Sequence, residues 1–224
     1  MNKLAIFDCD GTLVDSGANI HSALADSFAE HGFEAPPQHV SRKVIGLSLV
    51  EAMAALLPEA DWQQHSVLAE SYKRHFRRAR FEGRVEEPLF DGIPELLDRL
   101  EADGWLLAVA TGKSDRGLNL CLHCHGYAGR FVSLQTADRH PSKPHPSMAE
   151  QAMADAGAAP ETTIVIGDTA FDMGMAVAAG ATGIGAAWGY HDAEELIVAG
   201  AAAVAETPLD VLTHLPTGAS RLYG

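Results

Sequence analysis

The stretch LAIFDCDGTLVDS, residues 4–16, sets the first constraint on the fold. A short apolar run that is bounded by turn residues is typical of a buried β-strand, so we predict a strand over residues 3–7. Asp8 and Asp10 follow directly, with a Gly-Thr pair behind them. Negative charge is thus concentrated where a strand ends, and this is the position at which doubly wound sheets bind ligands.

After residue 82, short apolar segments alternate with segments of helical periodicity. This alternation predicts further strands at 105–110, 131–136, 162–167, 182–189 and, weakly, 202–206, and a last helix at 208–215. Strands that alternate with helices form a parallel sheet covered on both faces. The predicted fold class is therefore α/β, a doubly wound parallel sheet.

Residues 17–81 have a different pattern, with helical periodicity throughout and no strand signal. We predict an all-helical block of about four helices there. Because the first strand belongs to the same sheet as the later ones, the block is an insertion. The predicted domains are a core of residues 1–16 and 82–224 and a helical cap domain of residues 17–81.

Composition excludes several classes of protein. The formal net charge of −14 argues against binding to nucleic acid or to an anionic membrane surface. No apolar stretch reaches about 18 residues, so we expect no membrane span. The chain has three cysteines, and its first apolar run does not resemble an export signal, which together predict reduced thiols and a cytoplasmic protein. The oligomeric state stays open.

The segment CLHCH at 121–125 matches the C-x-x-C-H pattern of c-type haem attachment. Haem attachment of this type requires export, which nothing in the sequence signals. A two-ligand zinc site is also disfavoured, because no second Cys/His pair lies nearby in sequence. We interpret Cys121 and Cys124 as buried thiols on a helix.

Polar residues follow the other predicted strands as well. Thr111 and Gly112 follow the second strand, Lys143 lies after the third, and Asp168 and Asp172 follow the fourth. The carboxyl ends of parallel strands meet at one edge of a sheet, so we expect these residues to converge with the two aspartates of the opening stretch.

Three carboxylates at this edge, those of Asp8, Asp10 and Asp168, offer the hard oxygen ligands that suit Mg²⁺. Without a cation, two such charges about 4 Å apart would repel by on the order of 4 kcal/mol at an effective dielectric constant of 20. Lys143, together with Thr111, Gly112 and the helix N-terminus behind them, would form a cradle for an anion. One aspartate could then attack phosphorus while the other transfers protons.

These residues resemble the motifs of the haloacid dehalogenase-like superfamily of phosphohydrolases. DCDGT matches its first motif, Thr111 in VATGK the second, Lys143 in SKPHP the third, and GDTAFD, residues 167–172, the fourth. The likeness extends over nearly the whole chain. Among members of the superfamily, the chain is most similar to the helical-cap subgroup that includes phosphoglycolate phosphatases.

The resemblance implies a role for each residue. Asp8 would be the nucleophile and a Mg²⁺ ligand, and Asp10 the general acid/base, which also binds Mg²⁺ through its backbone carbonyl. Thr111 and Lys143 would hold the phosphoryl oxygens. Asp168 would bind Mg²⁺, while Asp172 would orient the metal site or Lys143. A plain charge at a helix N-terminus is an alternative interpretation of Asp172.

The resemblance also places a specificity loop of the cap at residues 41–49, where Arg42 and Ser48 are candidate substrate contacts. Phosphonoacetaldehyde hydrolases carry a lysine where this chain has Leu49, and haloacid dehalogenases lack the aspartate that corresponds to Asp10. Hydrolysis of a phosphate monoester is therefore favoured over cleavage of carbon–phosphorus or carbon–halogen bonds.

The predicted function is that of a Mg²⁺-dependent phosphatase for a small phosphorylated metabolite, similar to phosphoglycolate or a sugar phosphate. A phosphotransferase or phosphomutase of the same superfamily and a catalytically idle phosphate-binding module are the alternatives. We expect Lys113 and the cationic run YKRHFRRAR, residues 72–80, to be solvated, although that run could also attract an anion.

Overall fold

The structure, a computed structural model, describes residues 1–216. The predicted core domain runs to residue 224, and its last eight residues, 217–224, lie outside the described residues. A six-stranded parallel sheet has the order β3-β2-β1-β4-β5-β6. The strands are β1 (Asn2–Phe7), β2 (Trp105–Thr111), β3 (Ser133–Thr136), β4 (Ala158–Gly167), β5 (Thr182–Ala186) and β6 (Ala203–Ala205). The predicted α/β class is confirmed.

The helices of the described chain are α1 (Gly17–Glu30), α2 (Gln38–Arg42), α3 (Leu49–Leu56), α4 (Trp62–Phe81), α5 (Ile93–Ala102), α6 (Asp115–Cys124), α7 (Ser147–Ala156), α8 (Ala170–Ala178) and α9 (Ala193–Val198). The segment predicted as a last α-helix is instead a 3₁₀ helix, Pro208–His214. Its first turn closes tightly, since the Asp210 N–H donates to the Thr207 carbonyl three residues earlier at 3.0 Å. Short segments of this kind commonly adopt 3₁₀ geometry.

Helices cover both faces of the sheet, and β1 shows why. Its side chains alternate between the faces, as strand geometry requires. Leu4 and Ile6 enter a buried apolar cluster with α7 and α8. Ala5 and Phe7 enter a second buried cluster with α5 and α6. The central strand is thus buried on both sides, which fixes its register and the place at which it ends.

The cysteines fit this layering only in part. Cys9 continues the alternation of β1 and is buried in the cluster under α5 and α6, so it faces away from the loop carboxylates. Cys121 is buried in the same cluster. The expectation that Cys124 is also buried is wrong, because it is the last residue of α6 and is exposed.

Helices α1–α4 lie between β1 and α5 in the chain. Their facing sides form a third apolar cluster, which contains Ala23, Leu24, Phe28, Met53, Leu68, Ala69 and Tyr72. A group of helices with its own core is typical of a folding unit. This packing supports the division into core and cap domains, which stays a prediction. Among the described helices, none has the length and apolarity that crossing a bilayer demands.

Candidate active site

The site residues that were predicted in the core domain lie at the carboxyl edge of the sheet, where the strand order changes direction at β1. Asp8 directly follows β1, and its backbone N–H donates to the Ile166 carbonyl of β4 at 2.9 Å. The chain then turns back at Gly11, which has a φ of +89°. A Cβ at Gly11 would lie 2.2 Å from Asp168 Oδ2, so only glycine lets the turn pass this close to the carboxylate.

Asp8, Asp168 and Asp172 form a buried carboxylate cluster, in which each residue offers an oxygen within 4.8 Å of the others. The Lys143 ammonium lies among them, with Nζ 2.6 Å from Asp172 Oδ1 and 2.9 Å from Asp8 Oδ1. Two of the three carboxylates, those of Asp8 and Asp172, therefore share one ammonium. Burial, opposed by Lys143 and reinforced by Asp172, raises the pKa of Asp8 to about 7. Burial and the charge of Asp8 also raise the pKa of Asp168.

The cluster has the donor set of a divalent cation site. Within residues 1–216, neither carboxylate oxygen of Asp8 has a hydrogen-bond donor, and its contact with Lys143 is an ion pair that lacks hydrogen-bond alignment. Buried polar atoms without partners are rare in folded proteins. Hard carboxylate oxygens with excess negative charge fit a small divalent cation.

Two hydrogen bonds orient Asp168. Thr12 Oγ1 donates to Oδ1 at 2.7 Å, and the Tyr190 backbone N–H donates to Oδ2 at 3.0 Å. The sequence offered no signal for the contact of Tyr190. Contacts of this kind fix the position of a carboxylate that binds a metal ion.

Asp172 serves as both a helix cap and a partner of Lys143. Its Oδ2 accepts hydrogen bonds from the Thr169 N–H at 3.1 Å and from Thr169 Oγ1 at 2.7 Å, in a capping box at the start of α8. Its Oδ1 accepts from Lys143 Nζ. The two interpretations of Asp172 therefore describe two oxygens of the same side chain.

The Asp10 carboxylate lies in a separate buried network rather than in the carboxylate cluster. Lys113 Nζ is 2.7 Å from Asp10 Oδ1 and 2.8 Å from Glu87 Oε1, and Arg80 Nη2 is 2.7 Å from Glu87 Oε2. Ser16 Oγ also donates to Asp10 Oδ1. We call this set, Arg80, Glu87, Lys113 and Asp10, the charge chain. It links the cap helix α4 to the loop behind β1.

The expectation that Lys113 is solvated is wrong, because its side chain is only 9% exposed. Burial by itself lowers the pKa of Lys113, but the carboxylates of Asp10 and Glu87 outweigh it and raise that pKa well above its usual range. The expectation of a solvated run at 72–80 is wrong in part. Tyr72 is buried and Arg80 belongs to the charge chain, whereas Arg74 and Arg78 are exposed.

Glu87 was missed by sequence reasoning, since it belongs to no motif and precedes a proline in an irregular segment. The structure brings that segment to the site through contacts distant in sequence. Val14 forms an antiparallel bridge with Leu89, and the Asp15 N–H donates to the Pro88 carbonyl at 2.9 Å. No local sequence signal marks these contacts.

Thr111 and Gly112 lie at the end of β2, on the same edge of the sheet. Thr111 is buried, and its Oγ1 accepts a hydrogen bond from the Lys113 N–H at 3.2 Å. A Cβ at Gly112 would lie 2.5 Å from the Leu47 carbonyl oxygen. Gly112 thus allows the cap loop to approach the core, and its contact with substrate stays a prediction.

The cap candidates are not brought to the carboxylate cluster. Arg42 is exposed, with its guanidinium 5.8 Å from the centre of the Tyr190 ring. Ser48 lies at the start of α3, where its N–H donates to Ser142 Oγ at 2.8 Å. Other residues of the loop, Val44 to Leu47 and Leu49, line a cavity that reaches Asp10. The roles of Arg42 and Ser48 in substrate binding stay predictions.

The haloacid dehalogenase-like hydrolase family matches residues 5–186 of the chain. The chain belongs to this family. It is 34% identical over 216 residues to the protein named "Probable phosphatase IndB" of Dickeya dadantii, covering 95% of this chain and 93% of the relative. It is 29% identical to a phosphoglycolate phosphatase of Xylella fastidiosa, over 86% of this chain and 83% of that enzyme.

A crystal structure of a hydrolase from Pseudomonas syringae has the same fold, with a TM-score of 0.82 and 28% sequence identity. The match covers 95% of this chain and 97% of that one. Together with the phosphatase relatives, the family match identifies this haloacid dehalogenase-like protein as a phosphoric monoester hydrolase. The predicted family and enzyme class are confirmed.

Proposed function

We propose that this haloacid dehalogenase-like phosphatase is Mg²⁺-dependent and hydrolyses a small phosphate monoester through an aspartyl phosphate on Asp8. The observation that carries the proposal is the state of the Asp8 carboxylate. It is buried, it lacks a hydrogen-bond donor among the described residues, and it lies 2.9 Å from the Lys143 ammonium. A carboxylate held in this way is desolvated and directed toward the place where an anion would bind.

The reaction would run in two displacement steps. An Asp8 oxygen attacks phosphorus, the bond from phosphorus to the ester oxygen breaks, and a protonated Asp10 gives its proton to the departing oxygen. Water then attacks the aspartyl phosphate, Asp10 takes a proton from that water, and the Asp8 carboxylate is released with inorganic phosphate.

Asp8, Asp168 and Asp172 would hold the Mg²⁺ ion with their carboxylates, and the Asp10 carbonyl would join them as the family resemblance implies. When bound, the ion supplies positive charge that polarises a phosphoryl oxygen. Lys143 and Thr111 would bind the remaining phosphoryl oxygens. Lys143 also neutralises part of the buried charge. Burial by itself lowers its pKa, but the carboxylates of Asp172 and Asp8 outweigh burial and raise that pKa.

The substrate class comes from the relatives, one of which is named for phosphoglycolate. We propose a small phosphorylated metabolite as the partner, with neither nucleic acid nor a membrane surface involved, in line with the net charge of −14. The cytoplasmic location stays a prediction from the sequence.

The test is hydrolysis of phenyl phosphate by the wild type and by Asp8→Asn, each with Mg²⁺ and with EDTA. We expect Asp8→Asn to lower kcat by at least about 10³-fold, as loss of a nucleophile does. Asp15→Asn is the matched control, because it makes the same change to an exposed carboxylate of the same loop. Equal turnover by Asp8→Asn and the wild type would refute the role of Asp8.

A second measurement separates the mechanism from its alternatives. In Asp10→Asn, hydrolysis of the intermediate should slow, so that a phosphorylated Asp8 peptide is detectable by mass spectrometry after reaction with phenyl phosphate. Transfer of the phosphoryl group to an added alcohol in preference to water would instead indicate a phosphotransferase. Phosphate binding without turnover of any ester would indicate an idle binding module.

A further inference from the structure

A cavity of about 540 Å³ lies between the cap helices and the core. Asp10 lines this cavity, but Asp8, Lys143 and Asp168 do not. In the proposed reaction Asp10 protonates the departing oxygen, so the cavity lies on the side of the leaving group. The shape and chemistry of the cavity therefore bear on the alcohol part of the substrate, an inference that rests on the proposed function.

The wall that the cap contributes is largely apolar. Helices α1, α3 and α4 supply the side chains of Ile20, Leu24, Leu49, Ala52, Tyr72 and Phe76. The rings of Tyr72 and Phe76 have their centres 5.7 Å apart and form one aromatic surface. Apolar and aromatic walls with few polar groups are typical of sites that bind apolar ligands.

Several charged groups in the lining already have partners within the protein. Lys113 and Arg80 belong to the charge chain, in which the two cations alternate with the carboxylates of Glu87 and Asp10. Lys73 pairs with Glu70, with Nζ 2.8 Å from Oε1. Each of these pairs uses donors and acceptors that could otherwise bind a sugar hydroxyl. Arg77 and Arg116 also line the cavity, but both are exposed, so the apolar wall is the principal buried contact surface for a leaving group.

We propose that the substrate is a phosphate monoester whose alcohol carries an apolar body of at least the size of a six-membered ring. The aromatic surface of Tyr72 and Phe76 would contact that body, while its phosphate reaches Asp8 past Asp10. A two-carbon alcohol such as glycolate would leave most of the 540 Å³ filled with water. Phe76 would then be a specificity-determining residue.

The test compares kcat/KM for cyclohexylmethyl phosphate, glucose 6-phosphate and ethyl phosphate, with Mg²⁺ present. All three are esters of primary alcohols, so the bond that breaks is of the same type. The first two each carry a six-membered ring, which is apolar in cyclohexylmethyl phosphate and polar in glucose 6-phosphate. We expect kcat/KM for cyclohexylmethyl phosphate to exceed that of each of the other two by at least about tenfold, since burying even one methylene changes kcat/KM by about that much.

Phe76→Ala should reduce that preference by about tenfold, because it removes the ring that forms the apolar surface. Trp62→Ala is the control, since it truncates an aromatic residue of the same helix that is 74% exposed and outside the cavity. The ratio of the two ring substrates should be unchanged in the control. An equal loss in both variants would exclude a specific role for Phe76.

The outcomes separate this inference from the proposed function. If the wild type hydrolyses glucose 6-phosphate or phosphoglycolate as well as, or better than, cyclohexylmethyl phosphate, and Asp8→Asn does not, the phosphatase proposal stands and the apolar substrate is refuted. If no ester in the series is hydrolysed and phenyl phosphate is not either, the proposed function fails and takes this inference with it.

Discussion

Replacing Lys113 with methionine removes the ammonium that lies between Asp10 and Glu87. Methionine has a similar length and no charge, so the change leaves two buried carboxylates without their common cation. The Lys113, Asp10 and Glu87 side chains are 9%, 9% and 6% exposed, so water screens them poorly. We expect Lys113→Met to lower the free energy of unfolding by several kcal/mol.

The magnitude follows from the two contacts. At 2.7 and 2.8 Å, Coulomb's law with an effective dielectric constant of 20 gives about 6 kcal/mol of attraction for each pair. Desolvation of the three groups offsets a large part of this attraction. Removing one partner of a buried pair costs about 3–5 kcal/mol in practice. For a chain of this size, that loss corresponds to a fall in Tm of about 6–20 °C.

Urea unfolding followed by circular dichroism would measure the loss. Lys73→Met is the matched control, since it removes a lysine from a surface pair in which Lys73 is 41% and Glu70 61% exposed. Such pairs contribute less than about 1 kcal/mol. In the double variant Lys113→Met/Glu87→Gln one stranded carboxylate is neutralised, so the double variant should be more stable than the sum of the single losses by about 0.5–3 kcal/mol.

Two results would refute this reasoning. A loss of under about 1 kcal/mol in Lys113→Met would mean that the charge chain is solvated or rearranges freely. Strict additivity of the Lys113 and Glu87 changes would mean that the two side chains do not interact in solution.

Three further predictions concern the metal site and the contact between cap and core. Mg²⁺ at about 100 times its Kd should stabilise the wild type by about 2.7 kcal/mol in a thermal-shift assay, and an equal shift in Asp168→Asn would contradict the assigned ligands. Thr12→Val, which removes the 2.7 Å hydrogen bond to Asp168, should weaken Mg²⁺ binding about 10-fold or more by titration calorimetry, whereas unchanged affinity would show that the bond is dispensable. Gly112→Ala should cost about 1–3 kcal/mol in urea unfolding, because its Cβ would lie 2.5 Å from the Leu47 carbonyl oxygen. Gly117→Ala is the control. Gly117 lies within α6, and its added Cβ would be 3.3 Å from Ser114 Oγ, so this change should be neutral or stabilising.

Local patterns in the sequence were sufficient to predict the sheet and most helices. The strand that ends before Asp8, the glycine turn after it and the positions of Thr111 and Asp168 at later strand ends are all properties of short segments. Period and turn chemistry act over a few residues, so they can be read without the fold. The 3₁₀ geometry of Pro208–His214 could not be predicted in this way, because α and 3₁₀ turns share the same local signals.

The carboxylate cluster was predicted because parallel strands place their carboxyl ends at one edge, a rule of the fold class. The identity of the carboxylate oxygens that meet at this edge was not predicted. The sequence placed the Asp10 side chain with Asp8, whereas the structure pairs it with Lys113 and puts Asp172 in the cluster. Residues two apart at a strand end can face different neighbours, and the loop that follows decides between them.

Sequence patterns were therefore sufficient to determine the fold class, the family motifs and the edge of the sheet at which those motifs meet. Only the tertiary structure decided that Lys113 is buried, that Glu87 joins it to Arg80, and that Phe76 forms part of an apolar wall near Asp10. Lys113 and Glu87 are 26 residues apart, and Glu87 lies in an irregular segment. The burial of a charged side chain depends on a partner brought close by folding, and a linear pattern carries no record of that partner.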